Sequence, residues 1–392
     1  MRRTAVLSTP SLWILKPLLI AKTVLGTLAF VATATLGAEA ADPALAPSTP
    51  IPVKIVVVAM FEPGEDTGDV PGEYQYWVER EKLDRIYPFP QGNHNLRMNS
   101  DGVLGVLTGV GTARATASIM ALGLDPRFDL SHAYWLVAGI AGIDPADGSL
   151  GSAAWAEWVV DGDLAHEIDA REIPSGWKTG YVPLRKAVPY QQPRTGDNGI
   201  VFHLNPALVD WAYQLTRDTP LPDNDQIKAR RMQFDQPNAQ RPPFVMKGDE
   251  LSASTFWHGK LMDQWANDWV DYQTGGKGHF VMSGMEDTGT LQSLTFLARA
   301  GRVDLDRVLV LRTASNYDQQ RRGITATESL AETQVVKYSA YLPSLEAAYR
   351  VGDVVVRNVV LHWGRYRDQL PYLAPMAAAA DATHAGPNHP LN

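Results

Sequence analysis

Three kinds of site in the chain combine residue types that can hold a polar ligand and act on it. Thr108-Gly109-Val110-Gly111-Thr112 separates an apolar run from a helix of small residues. A turn of that kind aims unpaired backbone N–H groups and the positive end of a helix dipole at one point, which favours an anion or a polar ligand. It lacks the third glycine of a dinucleotide motif, since Arg114 follows. Val137-Ala138-Gly139-Ile140-Ala141-Gly142-Ile143-Asp144 reads as a second glycine turn, and two such turns at successive strand ends would form one crevice at the carboxyl edge of a sheet. Met285-Glu286-Asp287-Thr288 places acids where a strand gives way to a helix. Asp287 or Thr288 suits a helix cap, which leaves Glu286 as the less explained acid. Arg312, Ser315 and Asn316 close the series, because polar residues after a buried strand make a natural site edge.

Other chemistries find no support. The nine histidines show no metal-ligating spacing, and a chain without cysteine lacks the commonest structural zinc ligands, so no metal is expected. There is no GxSxG nucleophile elbow.

The elements that must position these residues are short apolar runs at 53–59, 103–107, 134–137, 155–160, 280–282, 307–311 and 354–361, read as strands. Helix-period stretches lie between several of them, at 112–122, 206–216, 288–300 and 342–349. Strands buried on both faces and alternating with helices imply an α/β protein, a mixed central sheet between two helix layers in a three-layer αβα sandwich. Residues 162–250, rich in Pro, Gln and Asp, read as a long excursion from that sheet, and residues 366–392 as a mobile tail.

With 392 residues, 45% of them hydrophobic, wholesale disorder is excluded. Four of the 35 basic residues but only one of the 43 acidic ones fall in the first 40 positions, so the remainder carries a net charge of −11. Nucleic acid is not an expected partner for so acidic a protein. Residues 1–40 carry a basic start, an apolar stretch and Ala38-Glu39-Ala40, the pattern of a cleaved export signal, with an uncleaved membrane anchor as the alternative. The expected location is therefore periplasmic or secreted, with residues 41–51 as an extended leader before a domain spanning 52–365.

The order of Ala59-Met60-Phe61-Glu62, Thr108-Gly109-Val110-Gly111, Ala138-Gly139-Ile140-Ala141-Gly142, Ser254-Thr255-Phe256, Met285-Glu286 and Arg312-Thr313-Ala314-Ser315-Asn316 resembles the nucleoside phosphorylase and nucleosidase superfamily. More closely, Gly284-Met285-Glu286-Asp287-Thr288-Gly289 and Ala314-Ser315-Asn316-Tyr317-Asp318 resemble the purine nucleoside permeases. The resemblance implies a purine nucleoside ligand, a nucleoside phosphorylase-like fold and a homo-oligomer. It places the ribose on Met285 and Glu286, with the glycine backbone at Gly109, Gly111 and Gly142 around the ligand. Phe256 and Trp257 would then stack on the base, and Asn316 would favour 6-oxopurines over adenosine.

For the chemistry, the resemblance implies Glu62, Arg312 and Asn316 as the catalytic set. The superfamily's phosphorylases carry Arg and Ser near the second glycine pair, where this chain has Val137-Ala138-Gly139-Ile140. Phosphate as a co-substrate would then depend on Arg114, Arg312, Arg321 or Arg322, and no other cofactor is implied. Its nucleosidases activate water with a glutamate whose aligned position here is Pro63, with Glu62 and Glu65 near it. Phosphorolysis, hydrolysis and binding without cleavage, the last in the service of a membrane transporter partner, all stay open at this point.

Overall fold

Every residue of the strands Ile55–Ala59 and Val103–Leu107 is buried, and because successive side chains of a strand point to opposite faces, such a strand needs cover on both of them. Two groups of helices supply that cover in the computed structural model, which describes residues 49–194, 199–333 and 340–373. Thr112–Gly123 packs on Asp287–Arg299 in one group. In the other, Tyr341–Leu361 lies over the two longest strands and carries Pro206–Thr216 and Gln75–Arg80 beside it.

The sheet is mixed, as expected from the alternation of elements. Tyr134–Ile143 runs parallel to Ile55–Ala59 on one side and to Val308–Tyr317 on the other, and its last two residues pair antiparallel with Phe280–Gly284. Val103–Leu107 and two short antiparallel strands, Leu96–Met98 and Arg85–Tyr87, extend the sheet beyond Ile55–Ala59. At the opposite end the sheet closes on itself. Val308–Tyr317 pairs with Ala153–Ala156, which runs through Glu157 into Trp158–Asp161, then Asp249–Ser252, then back to Phe280–Gly284. Trp77, Trp135, Trp155 and Trp269 fill the interior as fully buried side chains.

Several elements depart from their sequence readings. Residues 354–361 are not a strand but the end of the helix Tyr341–Leu361. Val351, Val355, Val356 and Val359 form its buried stripe, while Asp353 and Arg357, four residues apart, pair at 2.8 Å outside it. The apolar content suited either state, and the longer 3.6-residue period decided it. The segment 162–250 is more than an excursion, since Val201–His203 and Val245–Lys247 both bond into the main sheet. A helix at Lys260–Thr274, absent from the sequence reading, packs on the closed part of the sheet.

Residues 366–373, expected to belong to a mobile tail, are held in place. Arg307 donates to the carbonyls of Tyr366 and Arg367 at 2.6 and 2.8 Å, and Asn205 donates to the Tyr372 hydroxyl at 2.8 Å, fixing the chain there. The expected export signal at 1–40, the leader up to residue 48 and residues 374–392 lie outside the described residues. Among the described residues no helix is long and apolar enough to cross a membrane.

Candidate functional site

The strand ends and the glycine turn converge on a cavity of about 270 Å³. Met285, Glu286, Phe256, Trp257, Gly142, Arg312 and Asn316, all expected at the site, line it together, whereas Gly109 and Gly111, expected with them, do not, and Val110 between them does. Only one of the two glycine stretches is a turn. Tyr134–Ile143 runs straight through Gly139 and Gly142 as strand, because Val308–Tyr317 pairs with it along most of its length. That partner strand also continues past its expected end, so Arg312, Ser315 and Asn316 are strand residues. A register shift between Ala314 and Asn316 lets the chain bulge at Ser315. A bulge re-aims side chains, and here Arg312, Ser315 and Asn316 all reach the cavity.

Arg312, 2% exposed, is the hub of the site. Its Nη2 donates to Glu286 Oε2 at 3.1 Å and to Asp287, its Nε donates to Asp287 Oδ1 at 3.2 Å, and its Nη1 donates to the Ile140 carbonyl at 3.0 Å. Asp287 therefore does not cap its own helix, which has no side-chain cap; its carboxylate is spent on the guanidinium. Glu250 lies 3.9 Å from Arg312 without a hydrogen bond. Burial, with Asp287 beside it, lifts the Glu250 carboxyl well above the usual range. Glu286 is raised mainly by burial, against the pull of Arg312. Its Oε1 accepts the Gly111 N–H at 3.2 Å, which ties this carboxylate to the glycine turn. Gly109 and Gly111 both hold positive φ, 84° and 93°, a backbone that other L-residues rarely adopt.

Glu62, expected to be catalytic, does not line the cavity. Its Oε2 accepts the N–H groups of Tyr74 and Gln75 at 3.0 and 2.8 Å, and its Oε1 accepts that of Gly72, so it holds the start of the helix Gln75–Arg80. The carboxylate that does reach the cavity is Glu73, which the sequence reading missed. Its Oε2 accepts the Met60 N–H at 2.8 Å and its Oε1 the Ile140 N–H at 2.7 Å. Burial, with Glu286 adding to it, pushes Glu73 up to about 7 against the opposing effects of Arg312 and the two N–H groups. No sequence signal marks Glu73: it follows a Pro- and Gly-rich loop and joins Met60 and Ile140 only in the fold.

At the other end of the cavity stand Phe256, 48% exposed at the rim, and Trp257, 9% exposed and packed into a cluster with Trp265 and Phe280. Asn316 accepts from the Ser315 hydroxyl at 2.9 Å on Oδ1 and donates to the Tyr317 carbonyl at 3.3 Å from Nδ2. The arrangement thus has an aromatic and amide end and a carboxylate end. Of the arginines expected to hold phosphate, Arg114 is exposed and donates to the Val110 carbonyl, Arg321 pairs with Glu332, and Arg322 pairs with Asp235. Arg312 is the one cation among the described cavity-lining residues, and carboxylates already surround it.

Futalosine hydrolase of Helicobacter pylori is similar over 78% of this chain and 98% of its own, at 14% identity and a TM-score of 0.46. A 5′-methylthioadenosine/S-adenosylhomocysteine nucleosidase from S. pneumoniae is similar over 79% and 99%, at 16% identity and a TM-score of 0.45. A probable purine nucleoside permease of Schizosaccharomyces pombe is 30% identical over 298 residues, 72% of this chain and 81% of that protein. A purine nucleoside permease of Candida albicans is 27% identical over 316 residues, 80% of this chain and 76% of that one. The family model described as purine nucleoside permease (NUP) matches residues 52–371, which span the sheet, both helix layers and every residue of the cavity. The chain belongs to the purine nucleoside permease family.

Proposed function

We propose that the cavity binds a purine nucleoside and hydrolyses its N-glycosidic bond. The observation that carries this reading is Glu73: a buried carboxylate fixed by two backbone N–H groups at the cavity wall, 4.0 Å from Arg312, with a proton affinity near neutrality. A base poised near the working pH can take a proton from water and still be ionised often enough to do so.

The remaining parts fit the same step. Glu286 can accept hydrogen bonds from both ribose hydroxyls, and Arg312 keeps that carboxylate oriented. As the bond from sugar to base breaks, positive charge grows on the ribose, and the carboxylates of Glu286 and Glu73 favour it. Phe256 and Trp257 offer aromatic faces to the base, and Asn316 offers both a donor and an acceptor without ionising. A phosphate dianion would meet these carboxylates with no unengaged lining cation among the described residues, which favours water as the nucleophile. The basic and apolar pattern of residues 1–40 supports export as the setting of this reaction.

Incubation of the protein with inosine, guanosine or adenosine, with and without phosphate, and measurement of free base, tests the reading. Equal release without phosphate is expected. Release that requires phosphate would make the protein a phosphorylase, and tight binding without release would make it a nucleoside-binding component of uptake.

A further inference from the structure

Asp318 lies behind the aromatic and amide end of the cavity and is 1% exposed. Its Oδ1 is 2.7 Å from the Ser283 hydroxyl, its Oδ2 has no hydrogen-bond partner, and Ser283 itself lines the cavity. The neighbouring charges are Asp144 and Asp263, also carboxyls. The strand opposite makes room for the pair. A Cβ at Gly142 would fall 1.8 Å from Asp318 Oδ1 and 2.5 Å from Ser283 Oγ, so only glycine fits where this carboxyl and hydroxyl meet the cavity wall. Asn316, at the same end, is an amide and has no proton to give up.

We propose that Asp318 is the proton source for the departing purine, with the Ser283 hydroxyl as the group that hands the proton over. The inference rests on the hydrolytic reading above. Burial, with Asp144 adding to it and the hydrogen bond from Ser283 opposing it, raises the proton affinity of the Asp318 carboxyl well above the usual range. In the structure the Ser283 hydroxyl donates to Asp318 Oδ1 at 2.7 Å; a carboxyl protonated on that oxygen reverses the contact, donating to Ser283 Oγ and freeing the serine hydrogen to turn toward the cavity. In the reaction the Asp318 proton moves to Ser283 Oγ as the serine proton moves to N7 of the purine. The electron pair of the C1′–N9 bond passes to the purine, which leaves as a neutral base. Water adds to C1′ and gives its proton to Glu73. One proton has left with the base and one has arrived from water, so exchange with solvent restores both carboxyls.

The test compares two leaving groups on the full chain: the purine nucleoside among inosine, guanosine and adenosine that is cleaved fastest, and 4-nitrophenyl ribofuranoside, whose phenolate departs without protonation. Asp318→Asn, and separately Ser283→Ala, should lower kcat on the purine nucleoside by ~100-fold and keep the nitrophenyl riboside within about threefold. Equal losses on both substrates, or undiminished purine release, would overturn the role of Asp318 and leave hydrolysis standing. Wild-type protein that cleaves neither substrate would overturn hydrolysis and this role with it. Should Asp318→Asn not fold, Ser283→Ala carries the same comparison.

Discussion

Glu73 Oε1 stands 4.0 Å from Arg312 Nη1, near enough to share a field and too far to form a hydrogen bond. The guanidinium is spent on Glu286, Asp287 and the Ile140 carbonyl, so Glu73 is left with backbone N–H partners and a free lone pair on each oxygen. That geometry separates a carboxylate that can take a proton from carboxylates that only balance charge.

Glu73→Gln should therefore leave nucleoside binding largely intact and lower base release by ~10²- to 10⁴-fold. Only the ionised form accepts a proton from water, so wild-type kcat/KM should hold steady above pH 7 and fall about tenfold per unit below it, following the carboxyl at about 7. A pH profile of base release checks this, and a midpoint that persists in the glutamine variant would remove Glu73 from the chemistry.

Glu62→Ala should act through structure. It would strip the acceptor from the N–H groups of Gly72, Tyr74 and Gln75 at the start of a short helix that adjoins Glu73. A loss of about 1–2 kcal/mol in stability is expected, by analogy with helix caps and partly buried hydrogen bonds. Thermal unfolding reads the loss, and KM should rise while the pH midpoint of turnover stays where it was. A shifted midpoint would show that Glu62 takes part in the proton transfer.

Asn316→Asp should change the ratio of inosine to adenosine turnover, since an amide that both donates and accepts becomes an acid whose pattern depends on its proton. Steady-state kinetics on the two nucleosides measures it. An unchanged ratio would place Asn316 away from the base.

Asp263 offers a test on stability. Burial, with Asp144 and Asp318 adding to it, raises its carboxyl to about 9 from an ordinary value of 3.8. The folded chain thus binds a proton that the unfolded chain has released, and the stability this provides is present at low pH and lost as pH climbs through that window. Asp263→Asn removes the loss while keeping an oxygen for the Gln319 N–H, now 2.9 Å away. It should stabilise the protein at pH 8 relative to pH 4 by roughly 1–3 kcal/mol, read from denaturant unfolding at the two pH values. A difference of zero would mean that the Asp263 carboxyl is already ionised in the folded state.

What the sequence determined by itself was the set of local devices. The β-branched runs at 55–59 and 103–107, the glycines at positive φ before the helix Thr112–Gly123, and the Met285-Glu286 junction of strand and helix are short-range patterns whose physics is complete within a few residues. The fold class followed from these, while the residues expected around the ligand, Phe256 and Trp257 among them, came from the order of motifs that resembles a known family. Tertiary structure decided the charges. Whether Asp287 caps its helix or clasps Arg312, and whether Glu62 or Glu73 faces the cavity, depends on strands brought together across 13 to more than 200 residues of chain. The apolar run at 354–361 likewise became helix because its neighbours from residue 341 onward bury a helical stripe. Residue type fixes what a carboxyl is able to do, but burial and neighbouring charge, which only the packed chain supplies, fix whether it holds a proton, shares one or gives one up.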